Sequence, residues 1–194
     1  MKIELLQHTP APESFIGKVA GICYGKLETS TEEQHVKRAA HCVEKGHLST
    51  LRFAHATFHI SGISRVCSHQ LVRSKFLDFL QRSQRYCDEL QSQSKAVEPN
   101  YKSKHLKYLY RKSIVESGIA YKELIALGMK KEDARMVLPQ CIETELIVTG
   151  NFQAWLDFIK LRDTKEAQWE IRAVAQEIKR QLAEIAPNIF GESK

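Results

Sequence analysis

Nowhere in this chain do apolar residues run on for the roughly 20 positions that a bilayer-spanning helix needs. The opening residues, MKIELLQHTPAPESF, lack the continuous apolar core of a secretory signal. There is no CxxC pair, and the five cysteines (Cys23, Cys42, Cys67, Cys87 and Cys141) are odd in number and widely spaced. That pattern excludes a disulfide framework and the usual zinc-site spacings. Neither GxGxxG nor GxxxxGK[ST] occurs, so neither a Rossmann dinucleotide site nor a P-loop is indicated. Repeats, low-complexity tracts and Gly/Ser linkers are also missing. The expectation is a single domain spanning residues 1–194, in a reduced, cytoplasmic protein with no membrane partner.

What is present suits that expectation. A chain of 194 residues with 43% hydrophobic content is long enough and apolar enough to bury one sizeable core. The formal charge of +6 directs attention to polyanions or phosphorylated small molecules as partners. Periodicity predicts helices over 12–25 and 32–46, the second with Val36, Ala39, Ala40 and Val43 on one face and a stop at Gly46. Residues 53–60 and 143–149 suit strands. A helix is expected from near Ser64 through HQLVRSK. Another is expected over 102–127, with Leu106, Leu109, Ile114, Ile119, Leu124 and Leu127 as its stripe. Residues 151–161 and 165–186 complete the helices; in the last, Ile171, Val174, Ala175, Ile178, Leu182 and Ile185 align and Pro187 ends the run. Helices outweigh strands without regular alternation, so the class is α+β, mostly helical with a small mixed or antiparallel sheet. The polar stretch 88–104 reads either as a loop beside a site or as a surface connector.

The segment QLVRSKFLDFLQRSQRY (residues 70–86) carries the most chemistry. On a helix, Gln70, Arg73 and Leu77 share a side and Ser74 and Lys75 turn away. Gln81, Ser83 and Arg85 alternate as in an extended segment. Arginine forks and serine hydroxyls together make a phosphate cradle. From spacing alone, a solvated basic face accounts for the run at least as well.

The segment resembles the signature of the flavin-dependent thymidylate synthases, Arg-His-Arg, seven residues, then Ser, framed by Gln-Leu-x and Ser-x-Arg-Tyr. Here Gln70-Leu71-Val72 precedes Arg73-Ser74-Lys75, and after seven intervening residues comes Ser83-Gln84-Arg85-Tyr86. Three further stretches resemble the same family in the same order: GHLSTLRFAHATFHI (46–60), ARMVLP (134–139) and NFQAWLDFIKLRDTKEAQWEIR (151–172). The resemblance implies a homotetramer with active sites at subunit junctions. Each site would hold FAD beside a deoxypyrimidine monophosphate, most simply dUMP, with methylenetetrahydrofolate and NADPH as co-substrates. Arg73, Ser83, Arg85, Gln70, Gln81 and Arg135 match nucleotide-binding positions. Arg162 matches the arginine set against the pyrimidine ring. His47, Ser49, Asn151 and Asp157 match flavin-contacting positions, as do Ser74 and Lys75, with Arg73 and Gln81 shared between substrate and cofactor.

The departures are specific. Ser74 and Lys75 replace His and Arg of the motif, Asp157 stands for asparagine, Gln153 for arginine, and Arg52 sits near a position often held by glutamate. Lysine lacks the guanidinium fork, and a carboxylate accepts hydrogen bonds where an amide also donates. These changes raise a second reading, methylation or hydroxymethylation of dCMP or a related nucleotide. A third is a non-catalytic nucleotide- or nucleic-acid-binding module. Phe76, Leu77, Phe79 and Leu80 read as core or interface residues and not as stacking platforms, which argues against a nucleic-acid reader.

Two other motifs are set aside. Cys141, in LPQC, resembles the nucleophile element of the unrelated cysteine-dependent thymidylate synthases, but the rest of that pattern is missing and the Leu-Pro belongs to ARMVLP; a small, buried thiol is the better reading. His55 and His59 have helical metal-ligand spacing, yet on a strand four residues separate them by about 13 Å, so no metal is expected.

Overall fold

A computed structural model describes residues 1–87 and 95–191. Four strands, β1 (Lys2–His8), β2 (His55–Ser64), β3 (Leu77–Gln81) and β4 (Glu143–Asn151), form one antiparallel sheet in the order β1-β2-β4-β3. The helices are α1 (Pro12–Ala20), α2 (Glu32–Glu44), α3 (Arg65–Leu71), α4 (Lys104–Ala126), α5 (Lys131–Ala134), α6 (Phe152–Arg162), α7 (Trp169–Ile185) and α8 (Pro187–Phe190). The α+β expectation therefore holds. Chain contacts divide the described residues into two compact units. The first comprises 1–2, 60–69 and 80–146, and the second 3–59, 70–79 and 147–191.

The second unit contains the larger apolar core. Trp155 of α6 is fully buried, stands edge-on to Phe58 and Phe158, and donates its indole N–H to the Ala56 carbonyl at 3.1 Å. That bond satisfies the one polar atom of a large apolar side chain, as a buried tryptophan requires. Thr57 and Thr149 pair their hydroxyls at 2.8 Å between the neighbouring strands β2 and β4. In α7 the expected stripe is buried at Ile171, Val174, Ala175, Ile178 and Leu182. Gln168 caps its start, its side-chain oxygen accepting from the backbone N–H groups of Glu170 and Ile171. Pro187 ends α7 as expected and then occupies the first position of α8, where its missing N–H costs nothing.

In α2 the buried positions are His35, Ala39 and Cys42, and Val36, Ala40 and Val43 are only half-buried, so the stripe lies one step round from the predicted one. The shift is caused by Arg38. Its guanidinium donates to the Gly17 carbonyl (2.8 Å) and the Ser30 hydroxyl (2.8 Å), and lies 3.1 Å from His35 Nδ1. A polar network on the inner side thus draws His35 inward.

In the first unit, residues 95–98 are stitched to the start of β4. Val97 N–H donates to the Cys141 carbonyl (2.8 Å), Glu143 N–H to the Lys95 carbonyl (2.8 Å), and Tyr110 of α4 donates its hydroxyl to the Val97 carbonyl (2.9 Å). Glu98 pairs with Arg111 at 3.0 Å, which holds its carboxyl below the usual range. Burial, followed by a hydrogen bond with Cys141, pushes the Tyr110 phenol up. Cys141 lies in this cluster half-buried, where a buried thiol was expected. Of the polar stretch 88–104, residues 88–94 lie outside the described residues, 95–98 are tied to the first unit as above, and Ser103 caps α4, which begins at Lys104. The helix expected over 102–127 forms as α4, but its apolar stripe is left uncovered in this chain: Tyr121 is its one buried side chain, and Leu106, Leu109, Ile119 and Leu127 are about half exposed or more.

Candidate functional site

The helix expected to run through HQLVRSK stops at Leu71, so Arg73, Ser74 and Lys75 belong to a turn that leads into β3. Ser74 N–H bonds the Leu71 carbonyl (3.1 Å) and Leu77 N–H the Ser74 carbonyl (3.4 Å), which folds the segment tightly. The expectation that Ser74 and Lys75 point away from Arg73 is therefore wrong. All three, with Phe76, line one cavity of about 270 Å³ in the second unit. Its opposite wall is Ala154, Asp157, Phe158 and Leu161. Those spacings are one face of α6. Asn151 starts that helix, its side-chain oxygen accepting the Ala154 N–H at 2.9 Å, and so acts as the cap that aims this face. Gly150 lets the chain close here, since a Cβ at that position would lie 2.3 Å from Leu77 Cδ2.

The cavity has an apolar floor and charged walls. Arg73 and Lys75 have no ion-pair or hydrogen-bond partner among the described residues, and both are exposed. Asp157 is the acidic residue on the α6 face, and Gln153, one turn earlier, donates to it at 2.9 Å. Among the described residues the Ser74 hydroxyl is buried with no partner, a state that costs about 1–3 kcal/mol unless something enters to satisfy it. Arg162, at the end of α6, donates one Nη to the Gln70 carbonyl (3.1 Å), and its Nε is likewise buried without a partner. Gln70 thus contributes its backbone oxygen to the holding of Arg162. His47 and Ser49 are exposed, at the start of the 3-10 turn Leu48–Phe53 that packs on α6, and do not line the cavity.

The remaining expected residues gather in the first unit. Gln81 ends β3 and donates to both the Ser68 hydroxyl (3.0 Å) and the Thr144 hydroxyl (3.1 Å), so its amide nitrogen ties α3 to β4. The extended alternation expected through Arg85 ends at Gln81. Arg85 lies in a turn, and the Ser83 hydroxyl accepts the Arg85 backbone N–H at 3.2 Å. The Arg85 guanidinium forms an ion pair with Glu132 (Nε to Oε2, 2.6 Å) and lies 5.8 Å over the Tyr86 ring. Arg135 donates its own Nε to the Glu132 backbone carbonyl at 3.1 Å. Two expected anion binders from distant parts of the sequence therefore meet on one residue that was not singled out. The signal was an acidic residue three positions before Arg135 in KEDARMVLP.

Residues 4–188 match the family model described as thymidylate synthase complementing protein. The chain belongs to that family. It is 39% identical to the flavin-dependent thymidylate synthase of Geobacter sulfurreducens over 204 residues, covering 100% of this chain and 87% of that one. The corresponding enzymes of Mycobacteroides abscessus and Pyrococcus furiosus are 38% and 36% identical, each covering 94% of this chain and 79% of the relative.

Set on the structure, the departures from the family's motif cluster together: Ser74, Lys75 and Asp157 all line the one cavity, and Gln153 reaches it through Asp157. Arg52, by contrast, is exposed in the 3-10 turn and does not line it. Four of the five departures thus fall on or beside this cavity, and Arg52 lies apart from it.

Proposed function

We infer that this protein is a flavin-dependent thymidylate synthase that converts dUMP to dTMP, with FAD as cofactor and methylenetetrahydrofolate and NADPH as co-substrates. The observation that carries the cofactor assignment is the cavity walled by Arg73, Ser74 and Lys75. Unpaired cations suit phosphate oxygens, the Ala154–Phe158–Leu161 floor suits a flat ring, and the orphaned Ser74 hydroxyl suits a polar ring edge. The residues present therefore fit FAD. When bound, it supplies the hydride chemistry that completes the methyl group.

The chain's own residues do the rest. C5 of uracil is a poor nucleophile, and electron density reaches it only when developing charge on the ring is stabilised. Arg162, anchored at one Nη by the Gln70 carbonyl, retains donors for that charge. Arg85, Arg135 and Ser83 hold the nucleotide phosphate, with Arg73 beside the cofactor. Asn151 aims the α6 face, Gln81 braces α3 against β4, His47 and Ser49 stand outside the cavity on the turn that packs on α6, and Asp157 offers an acceptor to a ring N–H. The chain's kinship favours dUMP over dCMP, and an enzyme over a binding module. We place the enzyme in the cytoplasm, a reading supported by its five free cysteines; among the described residues no helix is long and apolar enough to cross a membrane. The exposed apolar residues of α4 support assembly into a homotetramer with sites at subunit junctions.

The purified protein is expected to show flavin absorbance, to run as a tetramer in light scattering, and to release tritium from C5-labelled dUMP when methylenetetrahydrofolate and NADPH are supplied. A colourless protein that stays inert after added FAD overturns the function, and a monomer overturns the assembly. A second prediction concerns Lys75. Removing one charge-assisted contact (Lys75→Ala) should weaken FAD binding about tenfold or more, read by flavin fluorescence. Lys75→Arg, which restores a planar fork, should bind at least as tightly as the native protein. Equal affinity in all three would remove Lys75 from the cofactor site.

A further inference from the structure

We propose that Glu132 is the positioning residue of the nucleotide-phosphate site, holding Arg85 and Arg135 by their Nε atoms so that their Nη ends face the anion. The inference rests on the reading of Arg85 and Arg135 as phosphate binders and adds a residue which that reading lacks.

The geometry is local to the first unit. Glu132 occupies the second position of the short helix α5 and is about two-thirds buried at its side chain (33% exposed), against 59% exposed for Arg85. Its carboxylate meets Arg85 at Nε, 2.6 Å away, and its main-chain carbonyl accepts from Arg135 at Nε, 3.1 Å away. Among the described residues these are the only polar partners of the two guanidinium groups, with the Tyr86 ring as a second support for Arg85. A guanidinium has two usable edges, and the end that carries both Nη atoms matches two phosphate oxygens. Fastening at Nε leaves that end available in both residues. The Glu132 carboxylate also offsets the charge of Arg85, whose partner residue holds a second cation, Arg135, by its main chain. An arginine held in one rotamer before the ligand arrives loses less freedom on binding.

The two attachments differ in kind. The carbonyl that holds Arg135 survives any substitution at position 132, whereas the carboxylate that holds Arg85 does not. The effect of Glu132 must therefore run through Arg85. With the intact enzyme and dUMP as probe, Glu132→Ala is expected to raise KM for dUMP about tenfold and leave kcat within about threefold. Glu132→Gln keeps an acceptor oxygen in place and should recover most of that loss. Arg85→Ala should cost about tenfold or more in the native background but under about threefold when Glu132 is already alanine. Losses that multiply in the double variant, an unchanged KM in Glu132→Ala, tighter dUMP binding in Glu132→Ala, or Glu132→Gln as impaired as alanine would each overturn the proposal. A native protein that binds no dUMP would overturn the underlying functional reading as well. One that binds dUMP but shows multiplying losses overturns only the role of Glu132.

Discussion

Arg162→Ala is expected to lower the rate of dTMP formation by about 10² to 10³, the loss typical when one preorganised donor is removed from a site of developing charge. Arg162 ends α6, where a cation ordinarily interacts with its own helix's last carbonyls. Here it reaches instead to the Gln70 carbonyl, at 3.1 Å, with its Nε buried and unpartnered among the described residues. An unsatisfied buried N–H is costly, and at Arg162 a bound ring edge would relieve it. The unspent donor is the reason to place Arg162 at the reacting base. Deleting the side chain also removes its bond to Gln70, which is worth about 1 kcal/mol of stability, so the melting temperature should move little while turnover falls steeply. Arg162→Lys keeps the charge but cannot serve the Gln70 carbonyl and a ring edge at once, and should recover only a small part of the rate. The check is tritium release under saturating dUMP beside a thermal melt. Activity within tenfold of the native enzyme in the alanine variant would remove Arg162 from the chemistry.

The parts of this fold that were legible in the sequence are those that a single helix or motif specifies locally. The α7 stripe, its stop at Pro187 and the helix expected over 151–161 follow from side-chain spacing. The parts that were not legible depend on partners distant in the chain. β1 was missed because KIELLQ alternates poorly; its leucines do not share a face, and Leu6 is 51% exposed. The end of α3 at Leu71 was missed because nothing in VRSK breaks a helix; tertiary closure of the turn against α6 decides it, with Gly150 making room. The α4 stripe was misread because apolar spacing on a helix reports what could be covered, not what covers it. In the site, the motif located Arg73 through Arg85, but only the packing showed that Ser74 and Lys75 face the same cavity as Asp157. Glu132 escaped notice because an acidic residue in a first helical turn has an ordinary explanation in the helix dipole, and its contact with Arg85 spans 47 positions of sequence.

The largest stability effect should come from a residue with no role in the chemistry. α1 and α2 cross so closely at Gly17 that a Cβ built there would lie 1.7 Å from the backbone carbonyl oxygen of His35. Real side-chain carbons do not approach a main-chain oxygen to that distance, and the obstacle is backbone, so no rotamer change can relieve it. The only response is to separate the helices. That would strain the Arg38 network, whose 2.8 Å bond to the Gly17 carbonyl closes the crossing, and would open the contact around Ile16, Ala20 and Ala39, which are all buried. Overpacking in cores commonly costs about 1–3 kcal/mol and more where nothing can move. Gly17→Ala is therefore expected to lose at least about 3 kcal/mol, a fall in melting temperature of about 10 °C for a chain of this length. Gly118 is the internal control. It lies inside α4 with nothing within 4 Å of a Cβ, so the same substitution should stabilise the protein by about 0.5–1 kcal/mol through the lower backbone freedom of alanine in the unfolded chain. Opposite signs at the two glycines, measured by denaturant or thermal melts, would establish that the α1–α2 crossing depends on the missing side chain. A Gly17→Ala protein that melts with the native one would mean that the helices cross further apart than described.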